Sequence, residues 1–310
     1  MSILIAEHDW AEYAAYLAER ELSIQASAGD NLEALTEMAR GCEIWLGQPD
    51  LLAALLRTGA KPKWLQSTWA GIAPLMAPDL PRDYVLTRAV GIFGQVMAEY
   101  VLCYMLAHER SVLTQQHSQR SGHWPSAMPG RLHGRKVLVV GCGDIGQTVA
   151  RFLVPFGVVL RGVASQVREQ APFAQVIGLE GLAQQVKWAD YVINLLPDTA
   201  DTQDIYDAAM FACFKPSAVL INVGRGKAVV DADLVAALAA GNLAGAVIDV
   251  CRQEPLLPEH PFWQAPNLLL TGHSSAPTDS ALMAKLFTDN MHRWQHGQPL
   301  QGYVDFARGY

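Results

Sequence analysis

Residues 136–146, Lys-Val-Leu-Val-Val-Gly-Cys-Gly-Asp-Ile-Gly, restrict what this chain can fold into more than any other stretch. Lys136 to Val140 is a short apolar run rich in β-branched residues, the pattern of a strand buried on both faces. It runs directly into Gly141-x-Gly143-x-x-Gly146, and Asp144 to Phe156 reads as a helix. In such a strand–turn–helix Gly141 makes the tight turn and Gly143 lets backbone approach a pyrophosphate, while Gly146 lets the helix pack closely on the strand. The helix N-terminus, with Asp144 and Ile145 in its first turn, offers N–H donors to phosphate. A bare GxGxxG is a weak signal. The strand before it and the helix after it favour a dinucleotide loop over a glycine-rich turn that binds nothing.

With 310 residues there is room for a second core beside this one. From 136 onward strands alternate with helices: apolar runs at 158–164, 190–196, 218–223, 244–250 and 268–271 follow the first strand, and Asp231 is read as the N-cap of a helix ending near Gly241. That alternation predicts a doubly wound parallel sheet of the Rossmann type. Residues 1–92 repeat the alternation on a smaller scale, with strands at 3–6, 43–46, 64–67 and 84–87 and helices at 10–20, 32–40 and 49–57. This reads as a smaller flavodoxin-like layer without a glycine-rich phosphate loop. Residues 94–116 form the longest helical pattern, expected to be buried between domains or at a dimer interface. The stretch 118–134, marked by Gly122, Pro125, Pro129 and Gly130, reads as a linker, and 277–296 as a long final helix.

A net charge of −7 gives no electrostatic reason to expect nucleic acid or an anionic membrane as partner. No apolar stretch approaches a membrane span. The cysteines at 42, 103, 142, 213 and 251 are scattered and form no CxxC pair, which argues for reduced thiols and against a zinc site. Histidines 108, 117, 123 and 133 lack ligand spacing, so no metal is expected. The opening Met-Ser-Ile-Leu-Ile-Ala-Glu has no basic region of the signal-peptide kind, and the cytoplasm is the expected location.

Three polar residues follow late strands: Arg225, Glu254 and His273. In a doubly wound sheet those ends face the crevice that receives the nucleotide, so residues far apart in sequence converge there. Arginine grips a carboxylate with two parallel bonds, and histidine exchanges a proton near neutral pH when a carboxylate fixes its tautomer. Taken singly, each has a plainer reading as a surface ion pair, a turn carboxylate or a cap. Leu196, Pro197, Thr202, Val223 and Gly224, at or just beyond the same edge, are counted as cofactor contacts. In the first domain, residues 66–71 follow a strand end. Trp69, Ala70 and Gly71 in that loop either offer N–H groups to a substrate carboxylate or form a plain turn.

The segments Asn222-Val-Gly-Arg225-Gly-x-x-Val229-Val-Asp231, Gly245-Ala-Val-Ile-Asp249-Val250 with Glu254-Pro255-Leu256, and Thr271-Gly-His273 resemble the D-isomer-specific 2-hydroxyacid dehydrogenase family. The first domain and the closing residues 304–310 look more like its glyoxylate/hydroxypyruvate reductase branch. The resemblance implies a substrate domain built from 1–92 plus 281–310 and a nucleotide domain of 93–280, with a ternary complex in the cleft between them. Arg225 would bind the 2-keto acid, and His273, paired with Glu254, would protonate its carbonyl as nicotinamide delivers hydride. Asp249 would hold the nicotinamide carboxamide. Trp45 would either wall the substrate or pack in the core. A homodimer through the helix beginning near Gly94 is implied as well. A dinucleotide-sensing, corepressor-like binding protein is the alternative the family allows.

Two departures matter. Gly272 stands before His273 where the family usually has proline, which suggests a looser loop. At the end of the second strand of the nucleotide domain, Ala164 takes the place of the acid that would bond an NAD ribose. Ser165 and Arg168 follow, suited to a 2′-phosphate, so NADP(H) is expected to be preferred, with NAD(H) possible.

Overall fold

The computed structural model describes residues 2–20, 31–125 and 128–307. The last three residues of the closing motif at 304–310 therefore lie outside the described residues. The chain divides into two compact units, Met1–Ile92 with Thr278–Tyr310, and Phe93–Pro277.

In the first unit β1 (Ile3–Ala6), β2 (Ile44–Gly47), β3 (Trp64–Ser67) and β4 (Val85–Thr87) pair in parallel in that spatial order. Each of the first three strands is four residues long and wholly buried, as expected for short apolar runs covered on both faces. Helices α1 (Trp10–Ala18), α2 (Leu32–Ala39) and α3 (Pro49–Arg57) alternate with them. Asn31 caps α2 by accepting from Ala34 N–H, and Pro49 opens α3 at a position whose N–H has no helical partner anyway.

The second unit opens with α4 (Gly94–Glu109) and α5 (Val112–Arg120). The single helix read over 94–116 is broken at Ser111, which takes a left-handed φ of 53°. The polar α5 follows, and its last turn runs into the stretch read as linker. After it come β5 (Lys136–Val140), α6 (Asp144–Leu153), β6 (Val159–Val163), β7 (Val176–Ile177), α7 (Leu182–Trp188) and β8 (Tyr191–Asn194). The unit ends with α8 (Ala208–Phe211), β9 (Val219–Asn222), α9 (Asp231–Ala240), β10 (Gly245–Ile248) and β11 (Leu268–Leu270). Asp231 is the first residue of α9, and Val230 holds the cap position expected of it.

All seven strands pair in parallel, in the order 11-10-9-8-5-6-7. The chain leaves β5 toward β6 and β7, then returns to β5's other side with β8. The switch point where nucleotides bind in such sheets therefore lies between the carboxyl ends of β5 and β8. Alternate strand residues feed two cores. Leu138, Val140, Val192 and Leu220 pack beneath α7, α8 and α9, whereas Val137, Val139, Ile193 and Ile221 pack beneath α4 and α6.

Helix α10 (Ser280–Gln295), capped by Asp279, belongs to the first unit. Trp64 of β3 stacks on its Phe287 and Trp294, with ring centroids 5.2 and 5.6 Å apart. Its Asn290 donates to Gln66 Oε1 and to Gln301 O, and Gln66 also accepts from Thr87. This buried polar network ties α10 to β3 and β4, with each of these donors meeting an acceptor.

Candidate active site

The glycine loop leaves β5 at the switch point. Gly141 has φ +107°, open to glycine and costly for other residues, and a Cβ there would lie 2.9 Å from the carbonyl of Leu195. A Cβ on Gly146 would stand 2.1 Å from Gly141 O, so α6 sits directly on the turn. A Cβ on Gly143 would meet nothing within 4 Å. That glycine borders open space at the start of α6, whose N-terminus no side chain caps. An uncapped helix start beside an open glycine fits a pyrophosphate, so the residues present suit a dinucleotide.

Neighbouring strand ends are braced by a buried asparagine pair. Asn194 Nδ2 donates to Asn222 Oδ1 at 2.9 Å, and the two residues face each other across β8 and β9. Asn222 Oδ1 also accepts from Gly224 N–H, and Asn194 Oδ1 from Leu196 N–H. Leu196 and Val223 are buried here, and Gly224 passes so close to Leu196 that a Cβ would fall 2.8 Å from its oxygen. Pro197 is exposed at the rim. Thr202, read as a cofactor contact, is buried with its hydroxyl donating to Pro197 O at 2.6 Å, and so braces this loop.

Arg225, Glu254 and His273 line one cavity of about 180 Å³, with Asp198, Lys227 and Arg252 beside them. Arg225 is held against its own strand end by donating to Gly224 O at 2.6 Å. Arg252 donates to the carbonyls of Lys227 and Val229, fastening the turn that follows Arg225. His273 Nδ1 lies 2.7 Å from Glu254 Oε2. That hydrogen bond raises the imidazole pKa above its ordinary value, against the opposing effect of desolvation. Burial alone would push the Glu254 carboxyl up. The bonds from His273 and from Cys251 N–H outweigh it and hold the carboxyl below its ordinary range. With Nδ1 engaged, Nε2 is the nitrogen left to exchange a proton.

Asp249 is 1 % exposed, and both its oxygens are taken by the loop that carries His273. Thr271 Oγ1 and Ser274 N–H donate to Oδ1 and Ser275 N–H to Oδ2. The carboxylate thus grips residues 271–275. Gly272 does not loosen that loop. Gly272 and His273 take φ of +65° and +57°, and His273 N–H donates to Asp249 O at 2.6 Å. A left-handed conformation costs a non-glycine residue ~1–2 kcal/mol, so His273 stays there because the surrounding bonds hold it.

In the first unit Trp45 is fully buried among Leu4, Leu35 and Leu65, its Nε1 bonded to Cys42 O at 2.9 Å. It is a core residue and walls no substrate. In the loop after β3, Thr68 N–H goes to Gly47 O and Trp69 N–H to Ser67 Oγ. Ala70 and Gly71 that follow are half-buried, and Trp69 is 39 % exposed. Thr68 Oγ1 donates to the buried Glu7, whose carboxyl is pushed up mainly by desolvation.

The model of the D-isomer specific 2-hydroxyacid dehydrogenase NAD-binding domain matches residues 102–275. The chain belongs to that family. A family protein from Aeromonas salmonicida superposes with a TM-score of 0.93 at 37% identity, covering 98% of this chain and 99% of the other. An NADPH-dependent glyoxylate/hydroxypyruvate reductase from Sinorhizobium meliloti, crystallised with NADP and sulfate, gives 0.83 at 28% identity over the whole of both chains. Glyoxylate/hydroxypyruvate reductase A of Photorhabdus laumondii is 29% identical over 293 residues, 92% of this chain and 91% of that protein. The protein is thus an NAD(P)-dependent dehydrogenase of the 2-hydroxyacid family, with two parallel α/β sheets.

Where this 2-hydroxyacid dehydrogenase departs from an NAD-type strand end, Ala164 is buried and Ser165 and Arg168 are exposed. Arg168 Nη2 donates to Cys142 O of the glycine loop at 2.9 Å, and Gln170 Nε2 reaches the same carbonyl. Sequence reading missed Asn194, Thr271 and Tyr100, whose hydroxyl meets Thr271 Oγ1 at 2.7 Å. One signal was available: Tyr191-Val-Ile-Asn and Val219-Leu-Ile-Asn are apolar runs that both end in asparagine. Among the described residues no group of His, Cys, Asp and Glu could hold a metal, and no helix is long and apolar enough to cross a membrane.

Proposed function

We propose that this dehydrogenase reduces a small 2-keto acid of the glyoxylate or hydroxypyruvate type to the D-2-hydroxy acid, preferring NADPH to NADH. The observation that carries the reading is the convergence of Arg225, Glu254 and His273 on one cavity, with the imidazole 2.7 Å from the carboxylate. When bound, the nicotinamide cofactor would supply the hydride. Arg225 binds the keto acid's carboxylate and orients its carbonyl, for which a planar fork of donors is suited. His273 Nε2 gives its proton to the carbonyl oxygen, and Glu254 stabilises the imidazolium before the transfer and fixes the ring's tautomer. In the oxidative direction the same nitrogen accepts the proton.

Gly141, Gly143 and Gly146, with the start of α6, are proposed to dock the pyrophosphate. The NADPH preference is supported by the missing acid at Ala164 and by Arg168 lying against the loop that docks it. The Sinorhizobium relative is itself NADPH-dependent. A homodimer through α4, the helix beginning at Gly94, is proposed with it. Beyond that helix, Leu113 in α5 and Trp124 and Met128 after it leave apolar surface exposed, the two latter at 91 % each. The five cysteines are free, in keeping with a cytoplasmic location.

An assay of glyoxylate, hydroxypyruvate, pyruvate and a bulky aromatic keto acid, each with NADPH and NADH, tests the reading. The highest kcat/KM is expected for glyoxylate or hydroxypyruvate with NADPH. Tight NADPH binding without turnover of any acid, or a preference for NADH or the aromatic substrate, contradicts it.

A further inference from the structure

Asp249 fastens four of the five residues from Thr271 to Ser275. Its side chain takes Thr271 Oγ1 at 2.6 Å, Ser274 N–H at 2.8 Å and Ser275 N–H at 3.1 Å, and its backbone oxygen takes His273 N–H at 2.6 Å. The turn held in this way contains two successive left-handed residues, Gly272 and His273. Proline, with φ fixed near −65°, has no access to the conformation of Gly272. With glycine rather than proline at 272, hydrogen bonds set the imidazole.

One of those bonds continues further. Thr271 has a single hydroxyl proton, and it is directed at Asp249 Oδ1. The hydroxyl of Tyr100 lies 2.7 Å from the same Thr271 oxygen, so in this arrangement Tyr100 donates and Thr271 accepts. The relay runs from Tyr100 in α4 through Thr271 to Asp249, and from there to the backbone of His273. All four residues belong to the second unit. Tyr100 is wedged edge-on against Tyr104, with ring centroids 4.6 Å apart, which limits where its hydroxyl can point. Glu254, Arg225 and Asp249 act on the imidazole, with Asp198, Lys227 and Arg252 in the same cavity, and among these described groups it is Asp249 that is bonded to the loop's own backbone.

We propose that Tyr100 is a positioning residue for the proton donor: through Thr271 and Asp249 it fixes the left-handed turn that aims His273 at Glu254. The proposal rests on the reading of His273 as donor, but its test does not depend on turnover. Histidine resonances of the free protein are followed by NMR across pH for the wild type, Tyr100→Phe, Thr271→Val and Thr271→Ser, with Tm recorded for each.

A loosened turn weakens the pairing of His273 with Glu254, so its titration midpoint is expected to fall in Tyr100→Phe and Thr271→Val. It is expected to stay in place in Thr271→Ser, which keeps the hydroxyl. Where a keto acid is turned over, kcat is expected to drop by ~10-fold or more in the first two, since an ångström of misplacement costs up to ~10²-fold. KM should change little, because Arg225 is untouched. An unchanged His273 titration in Tyr100→Phe overturns the proposal even if Tm falls, since packing alone would then account for the residue. Titration shifts in a protein without keto-acid turnover would uphold the clamp and sink the functional reading.

Discussion

Gly143→Ala and Gly146→Ala are expected to fail in opposite ways, because one glycine borders open space and the other a backbone oxygen. A Cβ on Gly146 lies 2.1 Å from Gly141 O and 3.3 Å from Val139 Cγ1, so α6 and the turn have to separate by about an ångström. Overpacking of this kind costs ~1–3 kcal/mol, and each kcal/mol moves Tm by ~2–4 °C in a domain of this size. Tm should therefore fall by roughly 2–12 °C. At Gly143 the methyl meets no protein atom within 4 Å, and φ −76° suits alanine. The stability gained by removing a glycine, ~0.4–1 kcal/mol, roughly offsets the poorer cap that alanine makes. The methyl does enter the space a pyrophosphate needs. Losing one charge-assisted bond, ~1.5–3 kcal/mol, weakens NADPH binding by roughly 10- to 150-fold. Thermal melts and a titration of NADPH fluorescence measure both quantities. A Gly143→Ala protein that binds NADPH with wild-type Kd would refute the assignment of this loop.

Three other variants probe the chemistry. In Glu254→Gln the carboxylate charge that strengthens the bond and raises the His273 pKa is lost; reduction needs the protonated ring, so kcat/KM is full below that pKa and lost as pH rises through it. The alkaline limb should therefore move to lower pH, toward about 6.5, and an unmoved limb would disconnect the pair from catalysis. Arg225→Lys replaces a planar fork by a point charge, and KM for the keto acid should rise by ~10-fold or more with NADPH affinity unchanged. Arg168→Ala should lower kcat/KM with NADPH and spare NADH; an equal loss with both would mean that Arg168 only props up the Cys142 carbonyl.

Much of this architecture is legible in the order of residues because parallel strands buried on both faces are continuous apolar runs. Lys136–Val140, Val219–Asn222 and Gly245–Ile248 stand out for that reason. β7 has two residues and α8 four, too few for any periodicity to register. The polar α5 carries no apolar stripe, and the break at Ser111 is a backbone event that its side chain does not announce. Arg225, Glu254 and His273 are visible because each follows a strand, and the sheet does the converging. Asn194 with Asn222, and Tyr100 with Thr271, depend on register and on which helix covers which strand. Those pairings exist only once the chain has folded. Trp45 stays open between wall and core in the sequence for the same reason: a strand end near a crevice is compatible with either face of the sheet, and the fold puts it in the core.

The proposed chemistry turns on His273 as the carrier of the proton. The most direct measurement compares wild type with His273→Ala for keto-acid reduction at saturating NADPH, beside an NADPH titration of both. kcat should fall by ~10²–10⁴-fold with NADPH affinity preserved, because the imidazole acts on the carbonyl and the glycine loop docks the cofactor. A variant that oxidises NADPH as fast as the wild type would contradict the account.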